Sequence, residues 1–80
     1  MMIPTIHLNG TSRETLLEQV CDAANAIRDA QRVLQEAAPN GRDYYPLGPD
    51  AIGMAIAEHD QRQLKLQSVL EELQATRQLA

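Results

Sequence analysis

The 80-residue sequence has no phenylalanine and no tryptophan, and its only aromatic side chains are two tyrosines. Large rings supply much of the buried area in small cores, so a chain of this length without them builds a thin one. Two separate cores are excluded, and a further subunit is the expected source of the missing contacts. A single cysteine, Cys21, excludes an intrachain disulfide. No apolar run approaches the ~18 residues of a membrane span. The opening MMIPTIHLNG has neither the basic start nor the apolar stretch of a secretory signal. Together these absences predict a cytoplasmic chain with no membrane partner. Positive charge is also scarce: seven Lys and Arg stand against eleven Asp and Glu, for a formal charge of −4, and the arginines are scattered. Direct binding to nucleic acid is therefore not expected.

The pattern that is present is helical. Residues 1–10 read as an extended arm, because Pro4 forbids a regular helix and Asn9-Gly10 signals a turn. Thr11 stands three residues before Glu14, the spacing of a capping box, and opens a first helix over 11–38. Its apolar positions Leu16, Val20, Ala23, Ile27, Ala30, Leu34 and Ala37 follow a 4-3 spacing that predicts one packing seam, with alanine every seventh residue. Pro39, Asn40 and Gly41 stop this helix. A loop over 39–48 follows, and Gly48 or Asp50 then caps a second helix over 49–79. The seam of that helix runs through Ile52 and Ile56, turns polar at His59 and Gln63, and returns to Leu66, Leu70 and Leu73. Two long helices joined by a short loop predict an all-α antiparallel two-helix hairpin. One hairpin cannot cover every leucine in the two helices, so a homo-oligomeric bundle, a dimer or higher, is the expected assembly.

No nucleophile, base and orienting group share a spacing that would assemble them, and the reading is of a non-enzymatic protein without a cofactor. Glu58-His59-Asp60 offers ligand types, but adjacent helix positions diverge by about 100° and no second histidine follows at the spacing of a metal site. His59 is expected at an interface, bonded to Gln63 or to a partner chain, and Cys21 as a small packing residue. Binding chemistry is denser in the 39–48 loop. Asn40, Arg42, Tyr44 and Tyr45 precede a helix amino terminus, where a guanidinium and free backbone amides can hold an anion and a tyrosine ring can stack on a planar group. The same residues also have a structural reading, in which Asn40-Gly41 is a turn and the tyrosines plug the end of a bundle. Asn9, Thr11 and Arg13 form a similar cluster at the start of helix one, about 40 Å away within a protomer. An antiparallel dimer would bring the two clusters together.

The segments HLNGTS at 7–12 and APNGRDYYP at 38–46, with AEHDQR at 57–62 and the overall length, resemble a family of short proteins encoded by tailed bacteriophages and prophages. The resemblance supplies a genetic context, a host bacterial cytoplasm, and no activity or site residues; small non-enzymatic phage proteins act on host machinery by occluding a protein complex or by sequestering a small signalling molecule, and both are options for this chain. The leading expectation is a phage accessory protein that neutralises a host factor by sequestering a nucleotide-like anion at Arg42, Tyr44 and Tyr45. The alternative is a protein–protein interaction or assembly module with no small ligand, whose partner is a host protein or another copy of itself.

Overall fold

The computed structural model describes residues 2–4 and 12–79. Within them the chain is all-helical, with no strand: α1 spans Arg13–Glu36, α2 Gly41–Tyr44, a 3-10 turn Tyr45–Leu47, and α3 Ala51–Leu79. Residues 2–4 have no regular structure, and the rest of the expected arm, with Asn9 and Thr11, lies outside the described residues.

The start of α1 is fixed by Ser12. Its backbone is extended (φ −63°, ψ 154°), and its Oγ accepts the Thr15 amide at 3.1 Å, satisfying a donor that has no carbonyl partner within the helix. Glu14 lies in the first turn, where its charge meets the positive end of the helix dipole. The helix stops at Glu36, two residues short of the expected end. Ala38 precedes a proline, which disfavours helical geometry there, and the chain leaves through tight bonds from Ala37 N–H to Leu34 O and from Ala38 N–H to Gln35 O.

The expected loop is itself wound. Asn40, extended at φ −121°, accepts the Asp43 amide through Oδ1 at 3.2 Å and donates through Nδ2 to the Asp43 carboxylate at 2.9 Å, so the Asn40/Asp43 pair nucleates α2. Pro46 sits in the first positions of the 3-10 turn, and Gly48 reverses the chain at φ +109°, a conformation in which a Cβ is disfavoured. Ala51 N–H donates to Gly48 O, and the first helical bond of α3 runs from Met54 N–H to Asp50 O.

Helices α1 and α3 pack against each other along their length. Arg77 Nη1 reaches Cys21 Sγ at 3.7 Å, Gln31 Nε2 donates to Gln67 Oε1 at 2.9 Å, and Gln63 Nε2 donates to Gln31 O at 2.9 Å. The seam differs from the expected one in register. On α1 it follows Val20, Ala24, Ile27, Gln31, Leu34 and Ala38, all buried or half-buried, whereas Ala23, Ala30 and Ala37 are exposed. The two registers share Val20, Ile27 and Leu34. Hydrophobicity separates Ala23 from Ala24 and Ala37 from Ala38 not at all, and the glutamine bonds decide it by drawing Gln31 into the seam. On α3 the seam runs Ile52, Ala55, His59, Gln63, Leu66, Leu70 and Leu73, so its polar middle is where the sequence places it, but Ala55 replaces Ile56, which is 45% exposed.

The core is thin. Among the described residues Ala24, Ala55 and Leu70 are the buried apolar ones, and no described side chain is less than 2% exposed. The protomer is a rod of 61 × 20 × 17 Å.

Candidate functional site

The loop end gathers part of the expected site. Tyr44, the last residue of α2, is half-buried and divides two clefts. On one side lies a cleft of about 400 Å³ lined by Gly41, Tyr44, Tyr45, Gly48, Pro49 and Ile52. On the other, a cleft of about 240 Å³ is formed by Tyr44 and Leu47 against the first turns of α3, with Met54 at its wall and Glu58 and Arg62 at its polar end. Both are predominantly apolar. Arg62 Nη2 lies 3.7 Å from Glu58 Oε2, an exposed pair that leaves the second cleft without a free charge.

Arg42 does not line either cleft. It belongs to an open surface of about 660 Å³ with Asn40, Gly41 and Asp43, which meets the tyrosine cleft at Gly41. Among the described residues Arg42 has no hydrogen bond or ion pair, and Tyr45 is 86% exposed. Asn40 is occupied as the cap of α2. Of the amides expected to form an anion site at 50–52, that of Ala51 already donates to Gly48 O. Arg13 opens α1, at the far end of a helix about 36 Å long, so one protomer does not bring it near Arg42.

The expected bond between His59 and Gln63 is not formed. Gln63 reaches across to Gln31 O, while His59 is 4% exposed and its Nε2 is buried without a hydrogen-bond partner. Cys21 is half-buried and accepts from Arg77, in keeping with a packing residue. Among the described residues no three His, Cys, Asp or Glu side chains meet as a metal site requires, and no helix is long and apolar enough to cross a membrane.

Leu47, Ile52 and Met54 also line the clefts and were not among the expected site residues. For Met54 the sequence holds a signal, since Ala51, Met54, Ala55 and Glu58 share one helix face beside the two tyrosines. Comparison of the chain with protein-family models, curated proteins and solved structures returns no match. The site is therefore read from its own geometry.

Proposed function

We propose that this is a non-enzymatic binding protein of the phage accessory kind, acting in the bacterial cytoplasm. Its protomer is an antiparallel two-helix hairpin that self-associates and neutralises a host factor by sequestering a nucleotide-like anion at the Arg42/Tyr44/Tyr45 end. The hairpin reading is supported by the order of contacts, in which Cys21 meets Arg77 and Gln31 meets Gln63 and Gln67. Self-association is supported by the thin core.

The observation that carries the ligand reading is the idleness of two costly side chains. Tyr45 is 86% exposed, and among the described residues Arg42 pairs with no carboxylate. Arg42 lies in α2, whose cap is the Asn40/Asp43 pair, and Tyr45 is the first residue of the 3-10 turn that follows it. The adjoining cleft of about 400 Å³ is of small-molecule size. A guanidinium beside an apolar, ring-walled cleft suits a ligand with a phosphate and a planar base.

Calorimetry against mono-, di- and cyclic nucleotides tests this reading. Arg42→Ala is expected to weaken binding more than tenfold, the loss of a charge-assisted pair of roughly 1.5–3 kcal/mol, with the melting temperature unchanged. Tyr45→Phe, which keeps the ring, is expected to bind nearly as wild type. No heat with any nucleotide overturns the ligand reading. It would favour the second reading, an interaction or assembly module, which draws support from the exposure of Val33, Leu47, Met54 and Leu64.

A further inference from the structure

We infer that one broad side of the α1–α3 hairpin is covered by a second copy of this chain, the two hairpins closing into a four-helix bundle. The inference rests on the hairpin and self-association proposed above and adds where the second copy sits.

The two broad sides of the hairpin differ. With successive residues about 100° apart, Leu16, Ile27 and Leu34 fall to one side of Ala24 and Gln31, the positions of α1 that point at α3. Leu66, Val69 and Leu73 fall to one side of His59 and Leu70, which point at α1. The two displacements have the same rotational sense, so in an antiparallel pair they lie on the same side of the molecule. Five of the six residues are half-buried and Val69 is 43% exposed, so α1 and α3 by themselves leave part of each in water. The opposite side carries the polar contacts of Gln31 with Gln67 and of Cys21 with Arg77. Its apolar members, Leu17 and Ile56, stand at its two ends.

A helix with one neighbour centres its apolar arc on that neighbour, whereas in a four-helix bundle the arc points between two. Both α1 and α3 show the second pattern. It also accounts for the 4-3 spacing of α1, because Ala30, which is exposed, lies on the same side as Ile27 and Leu34. These positions of α1 span about 60°, an arc that holds no charged residue and no glutamine. On α3 the corresponding arc holds one charge, Arg62, which pairs with Glu58 toward the loop end of the patch.

Two features select a second copy. The partner that completes the bundle must present two antiparallel helices about 36 Å long with their apolar arcs turned to one side, and another copy does so with this same surface, as a twofold interface requires. The side is also the right size. Its length of about 36 Å and the 20 Å breadth of the rod give on the order of 700 Å², close to the ~800 Å² that each partner buries in a standard interface.

Glutamate variants at exposed positions separate this side from the others. In sedimentation at micromolar concentration, wild type is expected to be a dimer. Val69→Glu and Ala30→Glu are each expected to weaken it at least tenfold, with helical circular dichroism retained. Leu64→Glu, at a 59% exposed position about 140° around α3 from Val69, is expected to leave it unchanged. Should Val69→Glu lose its helix, Ala30→Glu alone decides. A dimeric wild type whose association survives the substitutions on this side, or is weakened as much by Leu64→Glu, overturns the assignment and leaves self-association standing. A monomeric wild type overturns both.

Discussion

His59 is the residue whose environment is least expected for its chemistry. A buried polar atom without a hydrogen bond has lost its water and gained nothing in return, at a cost of about 1–3 kcal/mol. Here Nε2 is in that position, inside a seam whose neighbouring positions are Ala55 and Gln63. The ring still fills space between α1 and α3, so its bulk stabilises while its nitrogen does not. His59→Leu, which keeps most of the volume and removes the orphan, is accordingly expected to leave stability unchanged or raise it by about 1–2 kcal/mol. His59→Ala opens a cavity and is expected to be less stable than the leucine variant by more than about 1 kcal/mol. Urea melts of the three proteins at one concentration check this. A leucine variant less stable than wild type would mean that Nε2 is bonded in the assembled protein.

At the scale of elements, the helices and their limits were legible in the sequence, because capping and breaking residues act locally. Pro39 follows the end of α1 at Glu36, Gly48 lies three residues before the start of α3 at Ala51, and the cap of α1, Ser12, lies one residue from the expected Thr11. The winding of 39–48 was encoded too, since Asn40 precedes Asp43 at capping distance, but a stretch holding Gly41, Pro46 and Gly48 reads first as loop. The register of α1 was not legible. Ala23-Ala24 and Ala37-Ala38 are paired choices of equal hydrophobicity, and Ala30-Gln31 favours the wrong member. On the observed side Gln31 bonds Gln67 more than thirty residues away, a contact that no local pattern contains. The site was half legible for a similar reason. Residue types marked the loop end, but which of Tyr44 and Tyr45 would be half-buried depended on the path of α2. The corrected register makes a distinguishing prediction. Ala24→Leu forces three carbons into the closest part of the seam, where Ala24 is 5% exposed, and is expected to cost about 1–3 kcal/mol. Ala30→Leu, on the outward side, is expected to change the stability of the dilute protomer by less than about 0.5 kcal/mol. Equal losses at the two positions would return the seam to the register that the alanines suggest.

For the whole molecule, shape and stability are linked through what the protomer fails to bury. A rod 61 Å long and 20 × 17 Å in section, with three buried apolar side chains among its described residues, has little interior to oppose the conformational entropy of 80 residues. Self-association would supply the missing burial. An antiparallel pair would also set the α2 end of one copy beside the Arg13 end of the other. The clusters that one protomer holds apart would then meet, so ligand affinity and association would be thermodynamically coupled. Mass action gives this a direct readout. If folding and association are one process, a hundredfold rise in protein concentration stabilises the folded state by about 2.7 kcal/mol. With roughly 2–4 °C of midpoint per kcal/mol for an assembly of this size, the melting temperature is expected to rise by about 5–10 °C. Thermal melts of wild type at a few micromolar and at a few hundred micromolar measure it, and Ala30→Glu should show a much smaller shift over the same range. A wild-type midpoint that does not move with concentration would mean that the thin seam between α1 and α3 is sufficient by itself, and that the protomer folds without its partner.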